Sequence, residues 1–482
     1  MNKTYRIIAF LCCFLITFQS TAFAAAQLPT LGDSTSGFIS LDQEYQLGRG
    51  WLRALRSQTP ILEDPLLNDY LEFTIYRLAE NSQLTDRRIE TIIVDNKSLN
   101  AFAVPGGVIG VNTGLFLYSQ SEGEFSSVLS HELAHISQRH FARRVQDAQK
   151  RQPLTLAGLL ATVLLAVTTG GTAAIAAGST AYAANAQASL AFSRDMEQEA
   201  DRIGMETLYN SGYNPNEMTD MFRNMNDAKR YFGTNPPEYL LTHPLTESRV
   251  SDSANRASQY PAVKNGRTNF EYQLMKRRVE VHTLKSADAC TNKYESAVQE
   301  SKGTSKHTAQ YALAICYTED KQFEKALATL KPLQELWPLS ITINVLEAEI
   351  LSKKRDLDEA ESILKKMLKD NPENYVITMY LANTLGKNGK ARESAFLLQD
   401  MSFKRPDDAH VWNRLAEAQR INNNQIGYYK AAAEYYQLNG DFTNSQRQLM
   451  RALKLAEFDF HEKSIIEERI KYIESLKTEF NQ

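Results

Sequence analysis

The chain opens with Lys3 and Arg6, an almost unbroken apolar run from Ile7 to Phe18, and the small-x-small triplet Ala22-Phe23-Ala24. A short basic start, an apolar stretch well under the roughly 20 residues of a bilayer span and a small-residue cleavage site predict a removable export signal over 1–24. Cys12 and Cys13 lie inside the apolar run and not at its end, which argues against a lipoprotein signal. Residues 25–37, rich in Ala, Gly, Ser and Thr, predict a flexible leader. Ser40-Leu41-Asp42-Gln43 has the spacing of a capping box, so a helix should begin there. The pattern predicts a helix over Pro65 to Asn81 and, from alternation, a strand over Arg88 to Val94. Pro105-Gly106-Gly107 followed by Val108-Ile109-Gly110-Val111 predicts a turn and then a strand.

Between Gln152 and Ser193 there is no Asp, Glu, Lys or Arg. Gly170-Gly171 divides this run into halves that are each short for a membrane span. Two readings stay open: helices or a mobile lid beside an active site, and a hairpin making peripheral membrane contact. Further on, the pattern becomes helical and repeats. Pro338, Pro372 and Pro406 stand 34 residues apart, Ala326 and Ala360 keep that step, and so do Tyr317, Leu351 and Leu385. A 34-residue period closed by proline is that of paired antiparallel tetratricopeptide helices. The region from Tyr429 to Leu453, with Gly440-Asp441-Phe442, reads as a further unit out of phase.

At 482 residues the chain predicts two or three domains. Hydrophobic residues at 43% and charged residues at 23% are those of a globular protein. A net charge of −3, or −5 once Lys3 and Arg6 leave with the signal, makes no case for nucleic acid as a partner. Cleavage after Ala24 also removes Cys12 and Cys13. The remaining Cys290 and Cys316, in an exported chain, predict one structural disulfide between the first repeat helices. The expected compartment is the periplasm of a Gram-negative bacterium.

The densest chemistry lies in His131-Glu132-Leu133-Ala134-His135. Histidines four apart share one helix face and can hold one metal ion together. Glu132 can polarise a metal-bound water. Histidine and carboxylate ligands suit zinc, one ion per chain. The apolar Val128, Leu129, Leu133, Ala134 and Ile136 predict a buried helix, where idle histidines and a glutamate would be costly. A catalytic zinc takes a third protein ligand. His140 lies about 140° from His135 on a continuous helix, so it should point away and pack or hydrogen-bond instead. Ser193-Arg194-Asp195-Met196-Glu197-Gln198-Glu199-Ala200-Asp201 offers a better candidate. Glu197 and Asp201 share a face, one as ligand and the other as a partner fixing the tautomer of a ligand histidine. Glu199 should face elsewhere. The competing reading of this run is an ordinary charged helix face.

His-Glu-x-x-His followed by Ser-Arg-x-x-Glu-x-Glu-Ala-Asp-x-x-Gly resembles the M48 family of zinc metallopeptidases. Asn100-Ala101-Phe102-Ala103-Val104-Pro105-Gly106-Gly107 and Asn112-Thr113-Gly114-Leu115 are similar to that family's upstream segment. With its signal and repeats, nearly the whole chain resembles periplasmic members that act in quality control of outer-membrane β-barrel proteins. The resemblance implies His131, His135 and Glu197 as ligands of Zn2+ and Glu132 as general base. It implies unfolded or misassembled outer-membrane β-barrel proteins as substrates, and the β-barrel assembly machinery as partner of the repeats. Membrane-embedded members carry transmembrane helices, so only their catalytic core carries over. The segment Thr242-His243-Pro244-Leu245 is also similar to one in M48 relatives. Three roles for His243 stay open: a fourth zinc ligand that holds the enzyme inactive, an oxyanion donor, or a helix cap. Arg249 either serves the site or ties the loop down.

The expected fold is α+β. A signal over 1–24 precedes a mostly helical zincin-type metallopeptidase domain over 25–262 and an all-α tetratricopeptide-repeat solenoid over 263–482. The expected activity is zinc-dependent endoproteolysis, with an extended substrate pairing to an edge strand around Val108 to Val111. The rival class is a tetratricopeptide chaperone or scaffold for outer-membrane protein assembly with little proteolytic turnover.

Overall fold

The computed structural model describes residues 39–149, 164, 167–168, 193–232, 237–263 and 270–480. The expected signal over 1–24 and nearly all of the uncharged run 152–193 lie outside the described residues. Helix α1 (Leu41–Gln58) opens on the Ser40 capping box: Gln43 N–H donates to Ser40 Oγ at 3.1 Å and Ser40 N–H to Gln43 Oε1 at 2.9 Å. Helix α2 (Pro65–Glu80) starts on Asp64, whose carboxylate accepts from the amides of Leu66 and Leu67, with Pro65 supplying a pre-set first turn. Its Leu67, Leu71, Ile75 and Leu78 are buried.

Three short strands follow: β1 (Glu90–Val94), β2 (Ala101–Val104) and β3 (Val108–Asn112). Their order is β1-β3-β2, with β1 parallel and β2 antiparallel to β3. This overturns the expectation of an edge strand at Val108–Val111. The run Pro105-Gly106-Gly107, with φ of +81° and +77° at the two glycines, folds β2 back on β3 as a hairpin. The chain path then lays β1 on β3's other side, so the edges are β1 and β2.

The N-terminal part continues with α3 (Thr113–Tyr118), α4 (Glu122–Ser137), α5 (His140–Gln149), α6 (Arg194–Asn210), α7 (Asn216–Phe232), α8 (Tyr239–Thr242) and α9 (Glu247–Ala257). Next comes α10 (Phe270–His282), whose Tyr272 ring packs among Tyr70, Phe116 and Phe125. Tyr272 Oη donates to the carbonyls of Phe116 and Ser119, and Lys276 Nζ to Ser119 O at 2.7 Å.

The remaining helices begin with α11 (Ala287–Glu300) and then pair off between the periodic prolines: α12 (Gly303–Glu319) with α13 (Phe323–Leu336), α14 (Ile341–Lys354) with α15 (Leu357–Asp370), α16 (Tyr375–Lys387) with α17 (Ala391–Lys404), and α18 (Ala409–Ile421) with the helix that follows it. α19 (Gln425–Leu438), α20 (Phe442–Leu455) and α21 (Phe460–Phe480) complete the array. Ile341, Tyr375 and Ala409 open every second helix, at the 34-residue step seen in the sequence. A disulfide joins Cys290 on α11 to Cys316 on α12. The array folds back on α2. Arg278 on α10 pairs with Asp64 and with Glu349 at 3.0 Å, and Arg405 after α17 pairs with Glu72. One continuous apolar core therefore runs from α2 into the repeats. Among the described residues no helix is long and apolar enough to cross a membrane.

Candidate active site

Helix α4 begins at Ser121, whose Oγ accepts from Glu124 N–H at 3.0 Å, and runs buried through His135. Helix α6 crosses it closely. Gly204 is the reason: a Cβ there would lie 3.1 Å from the backbone of His131. Ala134 and Ala200, both buried, keep the remaining contact small. This approach brings the charged face of α6 onto the histidine face of α4.

The result is a buried cluster in which one ligand atom from each of His131, His135, Glu197 and His243 lies within 4.8 Å of the other three. His131 Nε2 and His135 Nε2 are 3.0 Å apart. Glu197 Oε1 is 3.4 Å from His135 Nε2, and Glu197 Oε2 is 3.5 Å from His131 Nε2. His243 Nδ1 stands 3.0 Å from Glu197 Oε1 and 3.4 Å from His131 Nε2. Its Nε2 is 3.5 Å from Glu132 Oε1. On the far side of His131, Nδ1 faces Asp201 Oδ1 at 3.0 Å. Arg249 closes this shell, donating to both oxygens of Asp201 at 2.7 Å and approaching Glu197 Oε2 at 2.7 Å.

The segment carrying His243 is fastened to the sheet. Tyr239 stacks on the His243 ring with centroids 4.6 Å apart, and its N–H donates to Leu99 O. The Glu238 carboxylate accepts from the amides of Asn96, Asn100 and Asn112. Asn100 and Asn112, present in the sequence beside the two strands, thus hold this loop against the β2–β3 hairpin.

Residues 65–257 match the model of peptidase family M48, and residues 351–418 match a tetratricopeptide-repeat model. The chain is 33% identical to the β-barrel assembly-enhancing protease of Escherichia coli K12, over 95% of this chain and 93% of that one. This chain belongs to peptidase family M48. It is 32% identical to the putative β-barrel assembly-enhancing protease of Vibrio cholerae over 89% of both chains. Similarity to the mitochondrial metalloendopeptidase OMA1 of Schizosaccharomyces pombe, 26% identical, covers 44% of this chain and 60% of that one.

As an M48 member the chain is a metalloprotease, and the cluster suits a metal. Burial pulls His131 down, but Asp201 and Glu197 outweigh it and push its pKa up to about 9. Burial holds His135 well below the usual histidine range. Burial would raise Glu197, yet His243 and Arg249 hold it well below the carboxylate range. Two imidazoles thus face a carboxylate held well below its usual range, a donor set that suits a divalent cation.

In this M48 site one side chain, His140, points where its spacing does not predict. The rejection of His140 as a ligand assumed a continuous helix. In fact α4 ends at Ser137, and Arg139 turns the chain with φ +51°. His140 therefore folds back and sets Nδ1 2.8 Å from His135 Nδ1, behind the ligand and outside the four-residue cluster. Glu199 does face away from the cluster, and there its Oε2 meets His140 Nε2 at 3.1 Å. Glu238 carried no signal by spacing, because its contacts cross to a distant hairpin, whereas Tyr239 stands one helical turn before the His243 it stacks on.

Proposed function

We propose that the chain is a periplasmic zinc endopeptidase acting on unfolded or misassembled outer-membrane β-barrel proteins. The convergence of His131, His135 and Glu197 beside Glu132 in one buried cluster carries this reading. The substrate class rests on relatives that bear the name β-barrel assembly-enhancing protease along nearly their whole length. The signal-like start over 1–24 supports the compartment. The repeat array offers a surface for the β-barrel assembly machinery.

In this reading His131, His135 and Glu197 hold one zinc per chain. The bound ion supplies Lewis acidity and lowers the pKa of a water. Asp201 accepts from His131 Nδ1–H, which leaves the Nε2 lone pair for the metal. Glu132 accepts the proton of the attacking water and passes it to the leaving amine. Arg249 balances the two carboxylates. An extended substrate segment pairs with β2, the edge strand in contact with α4. His243 would add a further donor to that set, which would keep out a substrate carbonyl or water and so restrain the enzyme.

That same restraint favours a second function in the same chain. With His243 seated, the enzyme cleaves seldom and holds its clients, as a chaperone or scaffold does. Zinc analysis of the purified protein, with cleavage of casein and of an unfolded outer-membrane protein beside a Glu132→Gln control, separates the two. Turnover in the parent and none in the control supports the peptidase. Client binding with no turnover in either leaves the scaffold alone.

A further inference from the structure

The turn that ends the histidine helix places a third histidine behind the site. Arg139 holds a left-handed conformation, uncommon for a residue with a side chain, and its guanidinium is tied to Ile39 and Glu44. Nη2 donates to Ile39 O at 2.6 Å and to Glu44 Oε1 at 2.9 Å, and Nε donates to Glu44 Oε1 at 3.2 Å. Helix α1 thus clamps the reversal that aims His140 at His135. His140 is completely buried. Its Nδ1 lies 2.8 Å from His135 Nδ1, and its Nε2 lies 3.1 Å from Glu199 Oε2, which also accepts from Arg143 Nη1 at 2.8 Å.

The hydrogens can be assigned in order. A carboxylate only accepts, so His140 Nε2 carries a hydrogen and donates to Glu199. A neutral imidazole with its hydrogen at Nε2 has a lone pair at Nδ1, which accepts from His135 Nδ1–H. In that tautomer the His135 lone pair is at Nε2, the atom that faces His131 and Glu197. We infer that His140 is a positioning residue for the metal site, fixing the tautomer and ring plane of His135 while Glu199 fixes His140. This rests on the proposed role of His135 as a ligand. The two ligand histidines are then supported by different chemistry: His131 by a carboxylate braced on Arg249, His135 by a neutral ring braced on Glu199 and Arg143.

The test compares zinc affinity in the full mature chain, measured by competition with a chelator, with the absorption spectrum of the Co2+-loaded form. Melting of the metal-free protein reports the fold. Loss of a ligand histidine's outer partner typically weakens metal binding by about 10–100-fold. His140→Leu should show a loss of that order and a shifted Co2+ spectrum. His140→Asn, whose Oδ1 can accept in place of Nδ1, should recover most of both. Glu199→Ala, which leaves the His140 ring packed, should show a smaller loss. A folded His140→Leu with the parent's zinc affinity and Co2+ spectrum overturns the role. If His140→Leu does not fold, Glu199→Ala decides: weakened zinc sustains the role and unchanged zinc overturns it. His135→Ala separates the two readings. Full zinc retention there overturns the ligand assignment and the positioning role with it. Zinc lost there but held at parental affinity in His140→Leu and Glu199→Ala overturns the positioning role alone.

Discussion

Arg249 grips Asp201 in a fork, with Nε donating to Oδ2 and Nη2 to Oδ1, each at 2.7 Å. The pair bridges 48 residues of chain and is almost fully buried. Its Nη1 donates to Pro244 O at 2.9 Å, so the same side chain ties the His243 loop to α6.

Removing one partner of such a buried pair costs about 3–5 kcal/mol. Arg249→Leu should therefore lower the stability of the metal-free protein by that order in chemical denaturation. Arg249→Lys, which keeps the charge but lacks the fork, should fall between. Burial would raise the Asp201 pKa, but Arg249 and His131 hold it below the carboxylate range. Its contribution is therefore present above the unfolded carboxylate pKa and lost as pH falls through the lower folded value. Acid should destabilise the parent more steeply than Arg249→Leu. Equal stability of parent and Arg249→Leu would show that the fork carries no such load.

Glu132→Gln should abolish hydrolysis while leaving zinc content and melting intact, because an amide cannot accept the water's proton. Substantial turnover in this variant would assign the base to another group.

Metal analysis of the parent should give one zinc per chain. His135→Ala should lose most of it, since it removes one of the two histidines that α4 presents together on a single face. Full occupancy in that variant would remove His135 from the ligands.

His243→Ala should raise proteolysis or broaden its substrates while zinc stays bound, as expected of a fourth ligand set 3.0 Å from Glu197. An oxyanion donor would instead show a rate loss of about 10²-fold. A helix-capping residue would leave the rate unchanged and cost about 1 kcal/mol of stability. One proteolysis assay with a melting curve beside it distinguishes these outcomes by sign and size.

Cys290 and Cys316 should resist thiol labelling in denatured, unreduced protein, and Cys316→Ser should destabilise the first repeat helices. A crosslink closing a loop of this size contributes about 3 kcal/mol. Two reactive thiols in the denatured parent would refute the bond.

Local features were legible in the sequence because they depend on neighbours along the chain. The Ser40–Gln43 capping box, the start of α2 at Asp64-Pro65, the shared face of His131 and His135 and the 34-residue repeat all follow from helix geometry. Asp201-Arg202-Ile203-Gly204 also carried a signal, since a glycine in a helix marks a close approach. Partners brought together by the chain path were not legible. Val108–Val111 became a central strand because β1 and β2 both pair with it, and alternation cannot tell one neighbour from two. His140 turned back toward His135 because Arg139 leaves the helix, held by Glu44 from nearly a hundred residues earlier. His243, Arg249 and Glu238 reach the site from loops and short helices whose positions depend on packing. Periodicity determines which side chains share a face; only the tertiary structure decides which faces meet.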